Sequence, residues 1–267
     1  MKALEIAWLQ DFTNILLIDS DPDLIERKFS CLLKYYQLVN YTLGFSQPIW
    51  RARRCDSAIG FKNSNELGAP PSNLIKQPGR LNEIGKTVFY ASFHKHAALE
   101  EVNAREGDFV HIAGYTIKEG IRGGIVGEFF NVHRSGNSVI HGDVGDKLNN
   151  ILSKLPHRVG LSVVFLDAFF SSILRDNNAH LNSYLHSRIL GRLLMSKLDG
   201  LDALFYPSVV TENAMNVALS VNSAFEKLKM AGNSVLQIQK RYDYGIFEFA
   251  IIRNANGEKP DGTIVWI

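Results

Sequence analysis

Residues 86–102 read KTVFYASFHKHAALEEV, and the change of period inside this stretch points to the fold class. Up to Ser92 the pattern is that of a buried strand, with Val88, Phe89 and Tyr90 forming a β-branched and aromatic run. Ser92 has the side chain to cap a helix through His94, Ala98, Glu101 and Val102. A strand that leads straight into a helix is a common mount for polar chemistry.

Working outward toward the N-terminus, residues 63–79 are rich in Asn, Ser, Gly and Pro without periodicity and read as a long loop. Before it, residues 49–54 form a short extended segment carrying Arg51, Arg53 and Arg54. Asp21 and Pro22 open a helix, a capping residue followed by a proline whose missing N–H is harmless in a first turn. Ile25, Phe29, Leu32, Tyr36 and Val39 recur at steps of four and three along one face, and residues 44–48 end the pattern.

Toward the C-terminus, residues 108–117 and 125–132 read as strands joined by a hairpin or short meander at Gly120, Gly123 and Gly124. Residues 146–197 turn helical, including 181–195, where Leu190, Leu193 and Leu194 supply an apolar face. Residues 201–206 form a short buried strand running into Pro207 and Ser208, and residues 213–228 read as a helix. A hairpin over 235–241 and 246–253, turning near Asp243 and Gly245, closes the chain. Strands and helices mixed without regular βαβ alternation imply an α+β fold, a mixed or antiparallel sheet core with surrounding helices. No internal repeat, low-complexity tract or linker divides the chain.

Composition narrows the function classes. With 46% of 267 residues apolar and 21% charged, the chain can bury a substantial core. A net charge of +2 is too mild for a protein that coats nucleic acid or an acidic membrane. Cys31 and Cys55 are the only cysteines, too few for a disulfide scaffold or a thiolate zinc site, so a reduced cytoplasmic location is expected. Lys2 is followed by Glu5 and Asp11, which interrupt any secretory apolar run, and Asp167 breaks the most apolar stretch, residues 161–174. No membrane span and no metal are expected.

Three simple motifs fail. EGIRGGIVG at residues 119–127 lacks the Lys-Ser or Lys-Thr of a phosphate loop. His94 and His96 point in different directions on a helix and have no third ligand spaced to complete a metal set. Ser208 lacks the G-x-S-x-G elbow of a hydrolase nucleophile.

Polar groups beside buried-looking strands remain: Trp50-Arg51-Ala52-Arg53, then Gly79-Arg80-Leu81-Asn82 with Tyr90-Ala91-Ser92 and Ala98-Leu99-Glu100-Glu101-Val102, and Tyr206-Pro207-Ser208 followed by Asn216. In order and approximate spacing these resemble the RES domain, a family named for its Arg, Glu and Ser and associated with degradation of NAD. The resemblance covers roughly residues 47–253, and it implies an N-terminal helical extension, residues 1–46, and a catalytic domain, residues 47–267, with a helical insertion at about 134–199. Leu81 stands where the family has Trp, and Pro78 where it has the first Gly of a Gly-Gly-Arg-Trp-Asn run. The family's Glu-Val pair, together with helical spacing, selects Glu101 over Glu100.

The resemblance implies an ADP-ribosyltransferase-like fold and an enzyme that cleaves the nicotinamide–ribose bond of NAD, foremost a phosphorylase. Arg51, Glu101 and Ser208 would be catalytic, and Arg80, Tyr90, Asn216 and Arg53 would bind substrate. Arginines suit the pyrophosphate and a carboxylate suits positive charge growing on the ribose. Tyr90 offers a stacking face, and Ser208 and Asn216 offer neutral hydrogen bonds. NAD is then substrate, phosphate the co-substrate, and no resident cofactor is needed. The family also implies a toxin with a small helix-turn-helix antitoxin as partner, any nucleic-acid contact passing through that antitoxin, with self-association left open. Protein ADP-ribosyltransferase and NAD glycohydrolase are alternatives within the same site. A module in which Arg51, Arg53 and Arg54 contact nucleic acid or an acidic partner is the alternative of another class.

Overall fold

The helices and strands of the chain are divided between two units, each containing both, and the site residues fall mostly in one of them. The structure, a computed structural model, describes residues 3–44, 48–140, 142–211 and 214–267. Lys2, the domain boundary at residue 47 and the expected helix start at Asn213 lie outside the described residues. In chain order the elements begin α1 (Ile6–Ile18), α2 (Pro22–Leu33), β1 (Val39–Leu43), β2 (Ile49–Cys55), β3 (Phe89–Ser92), α3 (Lys95–Glu101), β4 (Phe109–Ile117) and β5 (Ile121–Ile125). They continue α4 (Glu128–Ser135), α5 (Gly142–Lys154), α6 (His157–Leu174), α7 (Leu185–Met195), β6 (Ala203–Pro207), β7 (Met215–Leu219), α8 (Val221–Lys227), β8 (Leu228–Arg241), β9 (Phe247–Glu258) and β10 (Ile264–Trp266). The class is α+β.

The first unit comprises Met1–Tyr41, Lys76–Ile84 and Gly123–Pro207. Both the N-terminal helices and the helical region 134–199 belong to it. Asp21 caps α2 by accepting from the Asp23 and Leu24 amides, at 2.9 and 3.4 Å, and Ile25, Phe29 and Leu32 are fully buried. The helix ends at Leu33 rather than running to Val39, because the β-branched and aromatic residues that follow enter β1. At Gly123 a side chain would collide with the Phe205 ring, and at Gly124 with Leu38 and Leu204. These glycines therefore let parallel strands β5 and β6 lie under bulky neighbours. That corrects the expected hairpin: the glycines sit inside a strand, and residues 128–135 are helix α4 rather than a second strand.

Asp167 on α6 organises this unit. Its carboxylate accepts from the Tyr36 hydroxyl at 2.6 Å and from the Gly127 and Phe130 amides at 2.9 and 3.0 Å, closing the N-terminus of α4. Burial pushes its pKa up against these hydrogen bonds. α6 is long and apolar enough, by length and composition, to cross a membrane. Here Leu166, Phe170 and Leu174 are fully buried within the protein.

The second unit comprises Thr42–Ile75, Gly85–Arg122 and Ser208–Ile267. Its strands run in the order β7-β3-β2-β4-β8-β9-β10, every neighbouring pair antiparallel. The β8–β9 hairpin turns at Asp243–Gly245 as expected. Residues 215–219 are strand β7, not helix. All five are buried, and a run buried throughout shows no alternation by which sequence could tell it from a helix.

Pleating fixes the faces of this sheet. Trp50 pairs with Ser92 and with Gly114, and Ser92 pairs with Asn216, so these residues share one face with Tyr90. α3 covers this face, with Ala98 and Leu99 packed into a cluster that holds Ala52, Val110, Ile112, Leu236 and Ile238, with Trp50 at its margin. Arg51 and Arg53 alternate onto the other face, with Phe89, His111 and Tyr115.

Candidate active site

α3 positions the acid. Only seven residues long and without a side-chain cap at His94, it is held by packing of Ala97, Ala98 and Leu99, so its last turn is set by the sheet beneath. Glu101, on that turn, is exposed. Its Oε1 accepts from Ser208 Oγ at 2.8 Å and from Asn216 Nδ2 at 2.6 Å. Neither donor is itself loose. Ser208 Oγ also accepts from the Val210 and Thr211 amides at 3.3 and 3.1 Å, and the Asn216 amide oxygen accepts from Ser92 Oγ. A chain of donors, Ser92 to Asn216 to Glu101, with Ser208 joining from the other side, orients one carboxylate oxygen. No protein donor among the described residues holds Oε2.

The neighbouring Glu100 has a different setting. It is buried, accepts from Thr211 Oγ1, and lies against the backbone of Gly245. Of the two glutamates, Glu101 is therefore the one joined to Ser208 and Asn216. Glu100 ties the loop after Ser208 to the β8–β9 turn.

The arginines stand apart from this chain. Arg51 donates through Nη1 to the Tyr90 carbonyl at 2.8 Å and lies over the Phe89 ring, 5.2 Å from its centroid. Its Nε is buried with no protein partner among the described residues. Burial lowers its pKa to about 10, which leaves it a cation at neutral pH, and no carboxylate among the described residues pairs with it. Arg53 donates to the Glu66 carbonyl and lies over Phe61 at 4.7 Å. Tyr90 is half-buried on the α3 side of the strand.

Arg80 belongs to the first unit. It occupies a tight turn closed by Gly79 N–H to the Asn82 carbonyl, donates to the Leu174 and Asp176 carbonyls at 3.0 Å each, and lies 5.5 Å from the Tyr184 ring centroid. Leu81 packs on Gly191 of α7, so tightly that a side chain there would collide with it. Among the expected residues, the structure thus joins Glu101, Ser208 and Asn216 directly, places Tyr90 on their face of the sheet, puts Arg51 and Arg53 on the reverse face, and holds Arg80 on carbonyls of the first unit.

Sequence reasoning missed Ser92 as a site residue, taking it for a helix cap. It is the last residue of β3, and its hydroxyl goes across the ladder to Asn216 instead of to α3. No local signal distinguishes those uses, because the partner lies 124 positions away. Among the described residues no group of three or more His, Cys, Asp or Glu is placed to hold a metal ion. Comparison with protein-family models and with curated proteins finds no match.

The arrangement has a definite chemical capacity. A carboxylate accepting two strong hydrogen bonds on one oxygen is fixed in orientation without being neutralised. The open oxygen can face a developing cation or orient a hydroxyl group, with no reorganisation during reaction.

Proposed function

We propose that the chain is an NAD-degrading enzyme that breaks the nicotinamide–ribose bond and passes the ADP-ribosyl group to inorganic phosphate, releasing nicotinamide and ADP-ribose 1″-phosphate. One observation carries this reading: Glu101 is held on one oxygen by Ser208 and Asn216, and no protein donor among the described residues holds the other. The scissile bond joins an anomeric carbon to a positively charged ring nitrogen. As it breaks, its electron pair goes to the nitrogen, nicotinamide leaves neutral without needing a proton, and positive charge moves to the ribose. A fixed carboxylate beside that carbon stabilises the charge, as carboxylates do at oxocarbenium-like centres. A phosphate oxygen then forms the new bond to the anomeric carbon.

Ser208 and Asn216 orient the carboxylate, and Tyr90 offers a ring edge on the same face. Arg51, on the reverse face of the sheet, steadies the strand that carries Tyr90 by donating to its carbonyl. An ADP-ribosyltransferase-like architecture, a cytoplasmic toxin role and a helix-turn-helix antitoxin partner belong to the proposal through the resemblance to RES domains. The test is incubation of the protein with NAD in the presence and absence of inorganic phosphate, with products identified by mass. Phosphate-dependent release of nicotinamide with the 1″-phosphate product supports the reading. Equal release without phosphate makes water the acceptor and removes phosphorolysis.

A further inference from the structure

The β8–β9 turn carries a residue that the packing of the fold does not use. Tyr244 has φ 62° and ψ 23°, the left-handed region that disfavours side chains, yet it is not glycine. The backbone of the turn holds this conformation and the side chain adds nothing to it: Tyr244 is 99% exposed, and no ring contact or hydrogen bond of its hydroxyl is present among the described residues. The turn itself is well fixed. Tyr242 N–H donates to the Ile246 carbonyl at 2.8 Å, and Gly245, at φ 73°, lies so close to the Glu100 carboxylate that a Cβ there would collide with it.

Place in the fold gives the ring its meaning. Glu100 precedes Glu101 on the last turn of α3 and accepts from Thr211 in the loop that begins at Ser208. The turn bearing Tyr244 is therefore tied to the same helix end and loop that hold the candidate carboxylate. A flat aromatic face standing in water on a rigid turn gains free energy when a second flat ring covers it. A dinucleotide whose nicotinamide–ribose bond lies at Glu101 has one other planar ring, at its far end.

We propose that Tyr244 is a stacking platform for the adenine base, making the β8–β9 turn the element that distinguishes a dinucleotide from a mononucleotide. This rests on the reading of Glu101 as the reacting centre for NAD. Base stacking on an aromatic side chain is worth about 1–3 kcal/mol by alanine substitution, roughly 5- to 150-fold in affinity.

The experiment compares steady-state nicotinamide release from NAD and from nicotinamide mononucleotide, which lacks the adenylyl half, by wild type, Tyr244→Ala and Tyr244→Trp. An exposed side chain can be truncated without loss of fold. Expected are a KM for NAD raised at least about fivefold in Tyr244→Ala with little change in kcat, restoration by Tyr244→Trp, and no such rise with the mononucleotide. An unchanged KM for NAD, or an equal rise with both substrates, overturns the stacking role while leaving the Glu101 reading intact. Failure of the wild type to release nicotinamide from either substrate removes that reading and this inference with it.

Discussion

Replacing Asn216 by Asp tests the hydrogen-bond chain without depending on any substrate. In the native protein Asn216 Nδ2 stands 2.6 Å from Glu101 Oε1, while its amide oxygen accepts from Ser92. In Asn216→Asp the Ser92 hydroxyl still has its acceptor, so the second carboxylate oxygen is left facing Glu101. Two unit charges about 4 Å apart repel by about 1 kcal/mol in water and about 4 kcal/mol at an effective dielectric of 20. Glu101 is exposed, so solvent screening places the repulsion toward the lower end, about 1–2 kcal/mol. Loss of the amide hydrogen bond adds about 1 kcal/mol. The variant should therefore lose about 2–3 kcal/mol at about pH 7.5 by urea denaturation, and recover the charge-dependent part in acid, once one of the two carboxyls is protonated. The matched comparison is Asn216→Ala, whose loss carries no such pH dependence. A loss in Asn216→Asp that is the same at neutral and acid pH, or no loss at all, would refute the contact between these side chains.

Asp167→Asn in the first unit should cost about 2–3 kcal/mol, because an amide NH₂ would replace an oxygen that accepts from a backbone N–H; urea denaturation with a loss below about 0.5 kcal/mol would contradict its part in closing α4. His111 should make stability fall with acid. Its Nδ1 accepts from the Phe61 amide at 3.1 Å, so Nε2 carries the proton donated to Asn233 at 2.8 Å, and burial holds the folded pKa below that of a free imidazole. A depressed histidine pKa contributes stability that is present above about pH 6.5 and lost as pH falls through the folded value. Denaturation from about pH 7.5 down to about pH 5 should therefore show a larger loss for wild type than for His111→Gln, and parallel curves would contradict the neutral buried ring.

How much of this was legible depended on the range of each interaction. The α2 start at Asp21 and Pro22, the β8–β9 turn and strand β4 are local patterns, and each lies where residue chemistry places it. The readings that failed involve contacts across the chain. Gly123 and Gly124 look like turn residues until Phe205, Leu38 and Leu204 are seen above them. Tyr36 fits the helical face of Phe29 and Leu32, but its hydroxyl is spent on Asp167, 131 positions away. At the candidate site, Glu101, Ser208 and Asn216 could be chosen as residues, but not their joint hold on one oxygen. Nor could the strand parity that turns Arg51 to the other face, since Trp50 decides it by packing toward α3.

In the proposed reaction Glu101 promotes loss of nicotinamide from NAD. Glu101→Gln is the direct probe, because the amide keeps an oxygen to accept from Ser208 and Asn216 and removes only the charge. Nicotinamide release from NAD, followed with phosphate present for wild type and variant, should fall at least about a hundredfold in kcat, the scale of about 3 kcal/mol expected for one preorganised electrostatic group. Equal turnover by the two proteins, with the variant folded, would contradict the account.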